Sequence, residues 1–148
     1  MEHLSTGKII TIGAAGGAGA ILSTIFGEWS DNLLALVILM CIDFATGLIV
    51  AGLFQRSKKT ANGGLSSREC LRGIARKVCT LFIVAVAYQA EVLLSVDYIR
   101  AAVIWGLCAA EMISITENAV AMDILPPSVQ KVFKKVIGLL ENKNDDKE

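Results

Sequence analysis

Positive charge is missing from most of this chain's length. Four long apolar runs, residues 9–26, 33–54, 78–96 and 101–122, take up most of the 148 residues and contain no lysine or arginine. Histidine is nearly absent as well: His3 stands alone near the start, no Cys/His spacing suits a metal, and no cofactor is implied. Four cysteines do not make a disulfide framework, since Cys41, Cys79 and Cys108 lie inside runs and Cys70 in a basic stretch, where they read as small buried hydrophobes. No His, Cys or Ser stands in a constellation with a partner base, which excludes the ordinary designs of an intramembrane enzyme and leaves no catalytic residue to name. The halves show no internal repeat of the kind many transporters possess. Nothing in the pattern calls for a nucleic-acid partner.

What is present is hydrophobicity. The composition is 54% hydrophobic, and the mean hydropathy is +0.60, so a soluble all-helical domain of this size would have too little polar surface. Each run is about as long as a bilayer-spanning helix, roughly 20 residues. The fold class expected is therefore all-α: a polytopic membrane protein whose residues 1–122 form four transmembrane helices.

The net charge of zero hides a segregation by position. With four spans and both ends inside, every Lys and Arg except Arg100 falls on the cytoplasmic side, whereas the reverse orientation exports nearly all of them. The stretch 27–32 carries Glu28 and Asp31 without a base, while 55–77 carries seven bases against the single acid Glu69. Both termini are thus predicted to be cytoplasmic. A signal peptide is the competing reading of the first run, because Lys8 precedes it and Ala18-Gly19-Ala20 resembles a cleavage site, but the apolar core ahead of that site is short and rich in Gly.

The charges inside the runs are all acidic: Asp43, Glu91, Glu111 and Glu117. A translocon scale charges about 2.5–3.5 kcal/mol for a mid-span Asp, whereas the thirteen Leu, Ile, Val and Phe residues of 33–54 are together worth roughly 6 kcal/mol on it, so the second run inserts despite Asp43. At helical spacing Asp43, Thr46, Gly47 and Val50 share one stripe and face a common neighbour. In the fourth run Glu111, Ser114, Glu117 and Asn118 fall within about a third of the circumference. Carboxylates without cations in hydrocarbon must be protonated, hydrogen-bonded or wetted. Interhelical hydrogen bonding and a water-filled cavity both remain open readings.

The first run holds the unbroken small-residue series 13–20, in which Gly13, Gly16 and Gly17 permit close backbone approach, either to its own neighbours or to another copy. It also buries the least apolar area in lipid. After Met122 the break Pro126-Pro127 precedes a segment whose Val129, Val132, Phe133, Val136, Ile137 and Leu140 share one face, with Lys131, Lys134 and Lys135 off it. Residues 123–141 therefore read as a C-terminal amphipathic helix in the cytoplasmic headgroup region, or one docked on a cytosolic partner. Residues 142–148 read as a charged, solvated tail.

Three motifs carry a resemblance. Asp43-Phe44-Ala45-Thr46-Gly47, then Ser67 with Gly73 and Lys77, then the stretch from Glu111 to Asn118 that reads Glu-Met-Ile-Ser-Ile-Thr-Glu-Asn, followed by the Pro127 break and the basic amphipathic segment, resemble the toxin-secretion/phage-lysis holin family of Gram-positive bacteria and their phages. The likeness covers roughly 33–141, and the two acidic motifs in order are more specific than either alone. Ala110 stands where the family pattern often has Asn. The resemblance implies a non-enzymatic protein of the bacterial cytoplasmic membrane that forms homo-oligomers in the lipid bilayer and opens lesions through which an endolysin or a toxin leaves. A small ion channel or proton-coupled transporter built on Asp43 and Glu111 is the alternative.

Overall fold

The computed structural model describes residues 19–57 and 62–132, together with Gly17, Thr60 and Lys135. Among these residues the chain is helical, without a strand. Helix α1 spans Asp31–Ile49 and runs on as the wider π-helical turn Val50–Phe54; α2 spans Ser67–Leu94, and α3 spans Ile99–Ala121. All three are long and apolar enough to cross a membrane. Their 24, 28 and 23 residues correspond to about 36, 42 and 35 Å, against a hydrocarbon core of about 30 Å.

Local chemistry sets the helix ends. Ser30 caps α1 by accepting the Leu33 N–H at 3.3 Å, and Asp31 places negative charge in the first turn. Gln55 and Ser95 adopt left-handed conformations that stop the π-turn and α2. Two turns require glycine. Gly27, at φ +77°, has Arg100 Nη1 and the Tyr88 ring 2.5 and 2.6 Å from where a Cβ would sit; at Gly63, with φ +69°, the Gln55 carbonyl oxygen blocks the place of a Cβ outright.

Successive helices are antiparallel, so α1 and α3 run parallel, and α3 packs against both of the others while α1 and α2 touch little. The apolar core gathers Leu33, Leu36 and Met40 of α1, Val84 of α2 and Ile104 of α3, with Phe26, Leu81, Leu107 and Cys108 packed around it. This core occupies the half of the bundle nearest the turn between α2 and α3, here the hairpin end. The opposite half, nearest residues 55–66, is the loop end. Large apolar side chains such as Ile38, Ile42, Phe82, Val86 and Trp105 point outward, as helices in lipid require.

The structure moves one boundary considerably. The third run begins at residue 78, yet α2 begins at Ser67, so Arg68, Arg72, Arg76 and Lys77 are helical and belong to a loop only by hydropathy. A hydropathy run ends at the first cluster of charges, whereas a helix continues through them, because long basic side chains carry their charge away from the axis. Of the first run, residues 9–16 and 18 lie outside the described residues, so the fourth expected span and the positions Gly13 and Gly16 do too. Residues 19–26 are helical, and a Cβ on Gly17 would meet nothing within 4 Å among the described residues. Residues 127–132 are helical with Lys131 and Lys135 exposed, while Lys134 and most of the expected amphipathic helix lie outside the described residues.

Candidate functional site: a polar cluster bound by Lys77

Midway along α1 and α3, two carboxylates face one cation from α2. Lys77 Nζ donates to Asp43 Oδ2 at 2.8 Å and to Glu111 Oε2 at 2.6 Å. Side-chain exposure is 17% for Lys77 and 13% for each carboxylate, too little for water to screen the pairs strongly. The site has two acids and one base, a formal charge of −1.

A second layer ties α1 to α3. Asn118 Nδ2 donates to Asp43 Oδ1 at 3.2 Å and to Thr46 Oγ1 at 3.0 Å. At Gly47 a Cβ would stand 3.8 Å from Asn118 Nδ2, and at Gly73 of α2 it would meet the Phe44 ring at 3.6 Å, both ordinary contacts. The stripe Asp43, Thr46, Gly47 thus faces a neighbour within the chain.

The structure corrects the view that the acids in the runs lack cations. Lys77 and Arg100 each stand one residue ahead of an apolar run, outside it by hydropathy and inside the bundle by geometry. Glu91, 8% exposed, sits at the hairpin end, far along α2 from Lys77: its Oε1 accepts the Arg100 backbone N–H at 2.8 Å and its Oε2 lies 3.9 Å from Arg100 Nε. Arg100 Nη1 also donates to the carbonyls of Phe26 at 2.6 Å and Glu28 at 3.2 Å, and its guanidinium stacks over Tyr88. At the loop end Arg56 pairs with Asp123 and donates to the Ala121 carbonyl at 3.2 Å.

Glu117 and Ser114 are not in the Lys77 cluster. They line an open cleft of about 390 Å³ between the first half of α2 and the α1/α3 pair, which runs from Ser57 and Ser66 to Lys77. Of the residues singled out from sequence, Asp43, Thr46, Gly47, Glu111 and Asn118 come together. Glu91 does not join them, and Lys77, their hub, stands out in the sequence only as part of a motif. Among the described residues no group of His, Cys, Asp and Glu is arranged to hold a metal ion.

Three helices long and apolar enough to cross a membrane, joined by an internal ion-pair network, mark a membrane protein. The chain belongs to the bacteriophage holin family, whose model matches residues 20–142. It is similar to an uncharacterised protein of Listeria innocua, 35% identical across 95% of this chain and 92% of that one, and to an uncharacterised protein of Listeria monocytogenes, 36% identical across 87% and 90%. An uncharacterised protein of Halalkalibacterium halodurans is 36% identical across 82% of this chain and 87% of its own. No solved structure matches the chain significantly.

Proposed function

We propose that this chain is a non-enzymatic holin that accumulates in the bacterial cytoplasmic membrane with both termini inside, self-associates, and opens lesions through which an endolysin, or a toxin, leaves the cell. Family membership carries this reading. The exterior supports it: Ile38, Ile42, Phe82, Val86 and Trp105 leave the helices apolar toward lipid or toward other copies, and a Cβ on Gly17 would meet nothing among the described residues. In that assembly the small-residue series at Gly13, Gly16 and Gly17 supplies close contacts between copies, and Lys131, Lys134 and Lys135 lie on anionic headgroups.

The alternative, a small ion channel or proton-coupled transporter, draws on the cleft that ends at Asp43, Lys77 and Glu111. Induced expression beside a cytosolic peptidoglycan hydrolase separates the two. The holin reading expects membrane potential to collapse and the hydrolase to reach the medium. Collapse with the hydrolase retained inside supports the channel.

A further inference from the structure

The bundle is solid at one end and hollow at the other. Toward the hairpin end Leu33, Leu36, Val84 and Ile104 are at most 1% exposed and close the space between the three helices. Toward the loop end the cleft of about 390 Å³ replaces that packing. A water molecule takes about 30 Å³ in the liquid, so the cleft has room for a file of them. Its walls are suited to hold water. Glu117 lies half-buried in a membrane-crossing helix, lines the cleft, and makes no ion pair among the described residues. A carboxylate so placed is accommodated by protonation, by a hydrogen bond or by water, and the cleft gives water room to reach it. Ser114, one turn nearer Lys77, adds a hydroxyl to the same wall.

We propose that the cleft is a water-filled half-channel that admits small ions from the loop end as far as Lys77 and is stopped there by the apolar seal around Leu36. This rests on the reading of the chain as a permeabilising membrane protein and adds where the water path of each copy lies. From Met40 to Leu33 the seal extends about 10 Å along α1, a length over which an apolar constriction excludes water and hence ions. At the inner end of the cleft stand Lys77 and the two carboxylates it pairs with. A single copy is then tight, and conduction needs the seal to part.

Charged, membrane-impermeant methanethiosulfonate reagents test this on vesicles holding the protein at a density too low to release a small dye. Four single-cysteine chains are compared, the other cysteines being changed to Ser: Ser114→Cys in the cleft wall, Ala110→Cys beside it, native Cys70 at the loop end, and native Cys108 against the seal. Ser114→Cys and Ala110→Cys are expected to react from the same side of the membrane as Cys70, at least about tenfold faster than Cys108, because the reactive thiolate forms readily only in water. Reaction of both cleft variants as slow as that of Cys108, or only from the side opposite Cys70, overturns the half-channel. Equally fast reaction of Cys108 overturns the seal. Release of protein-sized cargo at high density is a separate readout, so the holin reading stands or falls independently of this one.

Discussion

The two ends of the bundle solve the same problem in opposite ways. At the hairpin end the helices meet through large apolar side chains, and the buried acid Glu91 is held beside Arg100. At the loop end small residues and polar groups replace them, and α2 is drawn to α1 and α3 through Lys77 across an open cleft. In a bilayer apolar packing gains little from the hydrophobic effect, since lipid tails are as apolar as Leu, so the first end relies on close fit and the second on charge and hydrogen bonds. The first is hard to open without leaving voids. The second can open by exchanging one set of polar partners for water.

The largest effect is expected at Lys77. Lys77→Met takes the shared cation from two part-buried carboxylates, and removing one partner of a buried pair typically costs about 3–5 kcal/mol, which sets the upper bound here because Asp43 keeps the Asn118 amide. Thermal unfolding in detergent should show that loss, and most of it should return when Asp43→Asn and Glu111→Gln are added. An unchanged melting temperature in the single variant breaks the comparison at its centre. Next comes Arg100→Gln, which removes the charged hydrogen bonds to the Phe26 and Glu28 carbonyls and the side-chain ion pair with Glu91, while the backbone N–H bond to Glu91 stays, at an expected cost of about 2 kcal/mol. Its damage should be confined to the hairpin end, with hydrogen exchange accelerating around 26–30 and 91–100 while the Lys77 region keeps its protection.

Much of this is legible in the sequence. The three described spans appear as apolar runs, and the 3.6-residue period puts Asp43, Thr46 and Gly47 on one stripe. Lys77 is not placed by it, because hydropathy closes the third run at Val78 and assigns the lysine to a loop. A signal is there: Lys77, Val84 and Glu91 are spaced by seven residues, with Thr80 and Ala87 between them, so the inward stripe of α2 begins with the lysine. The cleft is present in the sequence only as one of two open readings for the acids of the apolar runs. Its volume depends on how far α2 stands from α1, a tertiary fact that no local pattern encodes.

Smaller effects sharpen the comparison. Asn118→Ala removes the donor shared by Asp43 and Thr46; interhelical hydrogen bonds in membranes average about 0.6 kcal/mol, so a loss below about 1 kcal/mol is expected in the same unfolding measurement. A loss several times larger makes Asn118 part of the ionic hub. Gly73→Ala is the smallest. A Cβ there meets the Phe44 ring at 3.6 Å, an ordinary contact, so the variant should be neutral or gain up to about 1 kcal/mol from reduced chain entropy. A clear loss means that α2 already sits closer to α1 than the open cleft allows.

The most direct test is a titration of protein density in liposomes loaded with both a small dye and a folded protein of endolysin size. The account predicts that the native chain retains both cargoes at low density and releases both above a threshold, with Lys77→Met shifting that threshold because the loop end is no longer held together. Release of dye without the folded protein at every density, with the threshold indifferent to Lys77, contradicts it.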